Sequence, residues 1–405
     1  MSDQTSSFAF VRTEQLAPQA PPAAAVGPVK WVRENLFSSI PYSILTMLAL
    51  YCIYLILSGF LPWAMNGVWN TANIRECREI LEGATGGCFS VLSERWNQLI
   101  FGVAYDQSQY WRPTLAFILL FIAAAPVLFP ALPRQMLIFT GLYPFLAFYL
   151  IWGGTILSPI MVLVGCIVGY LVYSRLVSGS FAAGFFGGFA AAVVTWWVGG
   201  YIVGAIAPEQ TMLSAVPSRE MGGFMLNMIL GVVCVSLSLP IGIALALGRQ
   251  SDKPIIKWIC VIFIEFVRGV PLITLLFVAN VVLAYFMPPG TNFALILRVI
   301  IMITMFSAAY IAEVIRGGLA ALPRGQYEAA DSLGLDYPQA MRLIILPQAL
   351  KISIPGIVNV AVGLFKDTTL VSVISMFDLV GMIRGPILSS TDCNCVYCEL
   401  WAFAI

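Results

Sequence analysis

The sequence of 405 residues contains no histidine, and only 10% of its residues are charged. Soluble domains average about 25% charged residues, so the composition excludes a soluble globular protein. The absence of histidine removes the commonest zinc ligand and the commonest general base. Because no other set of nucleophiles or metal ligands is visible, we predict no catalytic residue and no metal site.

Two further absences limit cofactors and partners. The sequence has no G-x-x-x-x-G-K-[ST] loop, the phosphate-binding loop of many ATPases. We therefore expect no cofactor on this chain. The formal net charge is +1, and without a basic cluster it gives no reason to expect a nucleic-acid partner.

Hydrophobic sequence is abundant: 60% of the residues are hydrophobic and the mean hydropathy is +0.90. Apolar runs recur at lengths near the ~20 residues that a membrane-crossing helix needs, which predicts an all-α, polytopic membrane protein with about 9 to 10 transmembrane helices. The run 255–287 is too long for one straight crossing, and Arg268-Gly269-Val270-Pro271 supplies a kink or break within it. The runs are 41–61, 113–131, 136–153, 156–173, 181–207, 222–247, 255–287, 293–315 and 344–365.

Polar segments divide the chain into a tail and two halves. Residues 1–40 are predicted to be a disordered, cytosolic tail. Residues 41–207 form an N-terminal transmembrane extension with a periplasmic loop at 63–112, and residues 222–405 form the core. The end of the chain is interpreted as an incomplete C-terminal helix. Three cysteines precede that end, and three thiols without histidine are weak evidence for a metal site (Cys393, Cys395 and Cys398).

The most polar run of the second half, 328–347, lies between two apolar runs and must therefore lie outside the membrane. Gly334 suits the left-handed position at a helix end. Asp336 and Pro338 suit the cap and first turn of the next helix. With the N-terminus in the cytosol, most lysines and arginines fall on the cytosolic side, and so does this segment.

With the four residues before it, this segment resembles the coupling loop of ABC-importer permease subunits, which docks on a cytosolic ATPase; the cytosolic loop is taken as residues 324–347. An ordinary amphipathic cytosolic loop is the alternative. The elements of the family pattern, at the family's spacing, are Glu328, Ala329, Ala330, Gly334, Ile344, Leu346 and Pro347.

Three more stretches resemble the polar amino-acid permeases of the histidine/glutamine type: 262–277, 309–330 and 364–375. The resemblance covers about residues 222–398. The layout of the first half is similar to that of the general L-amino-acid permeases of the Aap/Bzt type, M subunit.

This resemblance implies a permease subunit of an ATP-driven importer for polar L-amino acids, with a type I ABC-importer fold in the second half. It implies that the chain lies in the bacterial inner membrane in contact with membrane lipid. It also implies that the chain assembles with a second permease subunit, identical or different. Two cytosolic ABC ATPase subunits would bind ATP and Mg²⁺, and a periplasmic binding protein would deliver the amino acid. The chain would not be an enzyme itself. A secondary amino-acid transporter or a channel is the alternative.

Charged side chains at membrane depth are costly, which makes them candidates for the substrate path. Lys366, Asp367 and Thr368 interrupt an apolar run, which predicts a break and a restarting helix. Asp367 would accept the substrate ammonium, while Thr368 and free N–H groups would receive its carboxylate. Lys366 would offset the local acid or bind an acidic side chain. A simple Asp/Thr helix cap is the alternative.

Three further residues are candidates for the path. Glu313 falls near the cytosolic edge and is placed to pair with Arg316. Arg268 lies one turn after Glu265 and is placed to pair with it. Asn280 falls near mid-membrane, where an interhelical hydrogen bond is the alternative to a ligand contact.

Two cysteines fall in the predicted periplasmic loop. Cys77 and Cys88 lie 11 positions apart, in a compartment where disulfides persist. We predict a disulfide between them, with two free thiols as the alternative.

Overall fold

A computed structural model of the chain describes residues 27–71, 74–177, 181–206, 213–286 and 294–384. The first 26 residues, the three C-terminal cysteines and the predicted incomplete helix lie outside the described residues. The chain divides into two compact units: Met1–Thr71 with Arg75–Phe89, and Ala72–Ile74 with Ser90–Ile405. The described residues contain helices and a few isolated bridges, without a named strand.

The first unit is built around one long apolar helix. The most apolar 18-residue stretch of this helix has a mean hydropathy of 2.3, and no residue of the helix is buried, as expected for a helix that contacts lipid. A disulfide joins Cys77 and Cys88, whose Cα atoms lie 6.2 Å apart. The helices of this part are α1 (Pro28–Asn35), α2 (Ile40–Met65) and α3 (Ile74–Leu81).

The first part of the second unit contains a glycine-packed helical hairpin. A Cβ atom added at Gly169 of α7 would lie 2.7 Å from the carbonyl oxygen of Gly188 in α8, so only glycine permits this approach. Buried Arg112, at the start of α5, donates to the carbonyl oxygens of Leu150 and Ser214. The helices are α4 (Ser90–Phe101), α5 (Trp111–Leu128), α6 (Met136–Trp152), α7 (Leu157–Leu176) and α8 (Phe181–Ile206).

The core of the second unit surrounds α12, which packs most extensively against α9 and then α15. Small residues allow both contacts. A Cβ atom added at Gly242 of α9 would meet Ile311, and one added at Gly356 of α15 would meet Val314. The helices are α9 (Gly223–Arg249), α10 (Pro254–Gly269), α11 (Leu272–Phe286), α12 (Leu295–Ala320), α13 (Gly325–Ser332), α14 (Tyr337–Ala340), α15 (Leu346–Asp367) and α16 (Leu379–Met382).

Every predicted apolar run falls on a helix. Within the described residues, 7 helices are long and apolar enough to cross a membrane, or 8 if the bent pair α10–α11 is one span, and α6 is shorter. The axis bends by 103° between α10 and α11, which confirms the break predicted at Arg268–Pro271. The last run differs from the prediction, because helical structure begins at Tyr337 and continues to Ile374.

Two adjacent glycines of α12 test its packing against α15. A Cβ atom added at Gly318 would lie 2.6 Å from the carbonyl oxygen of Ala349, whereas one added at Gly317 meets nothing within 4 Å. We expect Gly318→Ala to destabilise the protein by about 1–3 kcal/mol through overpacking. Gly317→Ala should be neutral or stabilising, since alanine is the better helix former. Thermal unfolding in detergent measures both, and equal effects would contradict the close approach.

Candidate functional site

The segment between α12 and α15 has the helix–turn–helix form predicted from the sequence. Gly334 ends α13 with φ +70°, in the left-handed region. The Leu335 N–H donates to the Ala330 carbonyl at 3.2 Å, as in a glycine-terminated helix. The carboxylate of Asp336 then accepts the N–H of Gln339 at 3.0 Å and caps α14. Both predicted signals are confirmed.

The second helix of this segment joins the membrane helix without a gap. A π-helical turn, Met341–Ile345, contains Ile344 and leads directly into α15, which starts with Leu346 and Pro347. Met341 and Ile345 are buried against α12 residues in a common apolar cluster. Any displacement of α14 is therefore passed to α15 through continuous helix.

The outer surface of the segment mixes one acid with exposed apolar side chains. Glu328 and Ala329 are exposed, whereas Ala330 is completely buried. Leu333 is 73% exposed and Tyr337 60% exposed, on either side of the turn at Gly334. Exposed apolar side chains grouped around a turn are typical of a protein contact surface.

A cavity, a pocket and a cluster of ion pairs all lie along one face of α12. Arg298, Met302, Phe306, Tyr310 and Glu313 recur at helical spacing and are all partly exposed. Other residues of α12 are buried in the core, among them Ile303, Ile311, Ile315 and Leu319. We call the partly exposed face the α12 stripe. A cavity, a pocket and an ion-pair cluster lie along it in that order.

The pocket in the middle of the stripe contains Asp367. It has a volume of about 240 Å³ and lies between α12 and α15. Phe306, Ser307 and Tyr310 line it from α12, and Gly363 and Asp367 line it from α15. The buried Ser307 hydroxyl has no hydrogen-bond partner among the described residues. A carboxylate, a hydroxyl and two aromatic rings are suitable groups for binding an ammonium ion.

The break predicted at Lys366–Thr368 is wrong. α15 ends at Asp367 and continues as a 3₁₀ helix, Thr368–Ile374. The Thr368 hydroxyl donates to the Phe365 carbonyl at 2.7 Å, so the threonine satisfies its own helix and does not interrupt it. The expected N-terminal amides for a carboxylate are therefore absent here. Lys366 is exposed and is not among the described residues that line the pocket.

The chain instead turns at Ser375, which has φ +65°, and restarts at Asp378. The buried carboxylate of Asp378 accepts the N–H of Gly381 at 2.8 Å and of Val380 at 3.3 Å. Burial raises the pKa of this carboxyl group, and the same hydrogen bonds oppose that rise. The helix restart expected at Lys366–Thr368 therefore lies further along the chain, where Asp378 caps it.

An ion-pair cluster lies at the end of the stripe nearest the segment between α12 and α15. Glu313 pairs with Arg316, with Arg249 at 3.2 Å and with Arg268 at 3.6 Å. Glu265 pairs with Arg249 at 2.9 Å and with Arg268 at 4.0 Å. Both pairs predicted from helical spacing are present, whereas Arg249 was missed because it belongs to another helix.

This cluster also contacts the pocket residues. The Arg268 guanidinium lies over the ring of Tyr310, 5.5 Å from the ring centroid. Arg268 is therefore close to the Asp367 pocket through Tyr310. Neither Arg268 nor Glu313 is among the described residues that line this pocket. The cluster holds the ends of α9, α10 and α12 together.

The cavity at the opposite end of the stripe contains Asn280. It has a volume of about 620 Å³, and its lining includes Asn280, Arg219, Arg298 and Ser375. The Asn280 carbonyl accepts a hydrogen bond from Arg298 at 3.3 Å. Arg298 was not predicted as a site residue, although a charge inside an apolar run was the signal that could have identified it.

Known proteins are similar in sequence to this chain, some over its second half and others over nearly its whole length. Residues 238–385 match the family described as binding-protein-dependent transport system inner membrane component. The chain is 50% identical to the glutamate/glutamine/aspartate/asparagine transport system permease protein BztC of Rhodobacter capsulatus, over 98% of this chain and 93% of that protein. It is 36% identical to the inner membrane amino-acid ABC transporter permease protein YhdY of Escherichia coli, over 87% and 81%. A crystal structure of an amino acid ABC transporter with histidines is similar at 30% identity, with a TM-score of 0.38 over 45% of this chain and 87% of that chain.

The ion-pair cluster predicts unequal roles for its two acids. Glu313 contacts three arginines and its side chain is 23% exposed, whereas Glu265 contacts two and is 53% exposed. We expect Glu313→Gln to cost about 2 kcal/mol, because charged hydrogen bonds are lost. Glu265→Gln should cost less than about 1 kcal/mol, as for an exposed ion pair. Thermal unfolding in detergent compares them, and a larger loss for Glu265→Gln would contradict this ranking.

Proposed function

The chain belongs to the family of amino-acid ABC transporter permeases, multi-pass proteins of the inner membrane, and from that premise we propose how it contributes to import. It provides one half of a path for polar L-amino acids and is driven by separate ATPase subunits. The observation that carries this proposal is the arrangement around α12. One face of that helix lines the Asp367 pocket, and residues 324–347, which we call the coupling segment, follow its end.

Docking of an ATPase is supported by the surface of the coupling segment. Glu328, Leu333 and Tyr337 are exposed together around the turn at Gly334. The segment joins α12 to α15, the two helices that line the pocket. A displacement by the ATPase would therefore act on both walls of the pocket. In this proposal ATP and Mg²⁺ bind to the two ATPase subunits, and this chain carries no cofactor.

Binding of the substrate ammonium is assigned to Asp367. The carboxylate shares the pocket with Ser307, Phe306 and Tyr310. The volume of about 240 Å³ is below the ~300–1,000 Å³ of most ligand sites. The α12 stripe is also partly exposed. A second permease subunit, identical or different, would cover the stripe and complete the pocket.

The remaining assignments concern orientation and delivery. We assign the coupling segment and the N-terminus to the cytosol. The disulfide of Cys77 and Cys88 is then on the periplasmic side. Residues 41–207 are then an N-terminal extension and residues 222–405 the permease core. A periplasmic binding protein delivers the amino acid. The name of the Rhodobacter relative supports glutamate, glutamine, aspartate and asparagine as substrates.

The coupling assignment is tested by reversing one exposed charge. We expect Glu328→Lys to abolish ATP-dependent uptake, because it changes the docking surface while the fold beneath stays intact. Uptake by the complex in liposomes is measured beside the amount of inserted protein. Glu34→Lys, an exposed acid in α1, is the matched control and should transport normally. Normal uptake by Glu328→Lys would remove the coupling assignment.

The pocket assignment is tested by removing one carboxylate charge. We expect Asp367→Asn to reduce uptake of every amino acid by at least about tenfold, because a hydrogen bond to a charged group is worth about 1.5–3 kcal/mol. The affinity of the periplasmic binding protein for its amino acid should not change, because that binding occurs on another chain. Glu34→Gln, at an exposed position of α1, is the control. Wild-type uptake of glutamate and glutamine by Asp367→Asn would place the pocket elsewhere.

A further inference from the structure

The cavity at the α11–α12 end of the stripe concentrates positive charge. Arg219 and Arg298 both line it, and no acidic side chain is among its described lining residues. Neither arginine forms an ion pair within the described part of the chain. Its volume of about 620 Å³ falls within the ~300–1,000 Å³ typical of small-molecule sites. The cavity is therefore large enough for a small anion and electrostatically suited to one.

One hydrogen bond holds the Arg298 side chain, and other N–H donors of its guanidinium remain unused. Its side chain donates to the carbonyl of Asn280 at 3.3 Å. Its buried Nε has no hydrogen-bond partner among the described residues. A guanidinium has five N–H donors in a fixed planar arrangement. One contact thus orients the side chain, and the unused donors can bind a carboxylate through two parallel hydrogen bonds.

Neutral donors surround the two arginines. Ser218 lines the cavity, and its hydroxyl oxygen accepts the indole N–H of Trp152 at 2.9 Å. That bond fixes the oxygen and leaves the hydroxyl proton free to donate. The side chains of Asn280 and Ser375 add further hydrogen-bonding groups. A charged centre with neutral donors around it is suited to an anion that also carries polar groups.

The position of the cavity relates it to the Asp367 pocket. Arg298 precedes Phe306 by two turns on the same face of α12, a distance of about 12 Å along the helix. The cavity is at the end of α12 opposite the coupling segment, which follows Ala320. With the coupling segment in the cytosol, an incoming amino acid reaches the arginines before it reaches Asp367.

From this geometry we infer that Arg219 and Arg298 form an entry site for carboxylates, which selects acidic amino acids over their amides. This inference rests on the proposed import function. Two arginines match the two carboxylates of glutamate or aspartate. Glutamine and asparagine present only one carboxylate and gain less from the second arginine. The arginines recognise the anionic groups first, and Asp367 then receives the ammonium.

The test uses the complete importer in liposomes, with glutamate and glutamine as probes. We expect Arg298→Gln to lower the glutamate import rate about tenfold relative to glutamine, because charged hydrogen bonds are lost. Arg219→Gln should shift the ratio in the same direction but less, since this arginine is exposed. Arg298→Lys keeps the charge and should recover part of the preference. Arg95→Gln, which removes an arginine that hydrogen-bonds Gln98 and does not line the cavity, should leave the ratio unchanged.

A second measurement does not depend on import. Phenylglyoxal modifies arginine side chains, and peptide mass spectrometry reports the rate at each position in the purified complex. Glutamate should slow modification of Arg219 and Arg298 more than glutamine does, and should leave Arg95 unaffected. Equal protection by both probes, or an equal loss of both import rates in Arg298→Gln, would overturn the entry site. Protection by glutamate in a complex that imports no amino acid would instead reject the proposed function and keep the site.

Discussion

The packing of one face of α12 against α9 and α15 determines where every candidate site lies. Its buried residues recur at helical spacing, and glycines on the neighbouring helices allow close contact. Beside that packing, the residues of the α12 stripe stay partly exposed. The cavity, the pocket and the ion-pair cluster all lie along this stripe.

The cost of burying charge explains how the ionisable groups are distributed in this core. An isolated charge in a low-dielectric region is expensive, so it must be paired or face water. At one end of the stripe, Glu313 and Glu265 are paired with arginines from three helices. In the middle and at the other end, Asp367 and Arg298 face open space. The paired charges hold the helices together, whereas Asp367 and Arg298 form no ion pair within the described residues.

Continuity of the backbone connects the coupling segment to the pocket. α13 is seated on the core through buried Ala330, and α14 runs into α15 through the π-helical turn. Such turns widen the helix locally and are frequent at functional positions. This segment is therefore joined to Asp367 through α15 and to Tyr310 through α12. The ion-pair cluster lies between these two routes, where Arg268 contacts Tyr310.

Local rules in the sequence were sufficient for several features of this protein. They predicted the apolar helices, the bend near Pro271, the helix stop at Gly334 and the cap at Asp336, because each depends on a few neighbouring residues. Pairs at helical spacing, such as Glu313 with Arg316, follow from the same rules. The run Lys366–Thr368 was misread because a threonine can satisfy a carbonyl of its own helix as well as interrupt it.

Contacts between distant residues were decided by the tertiary structure alone. Arg249 reaches Glu265 and Glu313 across 16 and 64 positions, and Asn227 reaches Leu379 across 152. No spacing rule covers such separations, since they depend on which helix faces pack together. The same holds for Arg219 and Arg298, which share a cavity only because two chain segments meet at the end of α12. The sequence by itself determined the helices and their caps, whereas the packing of α12 decided which charges were paired and which lined the pocket and the cavity.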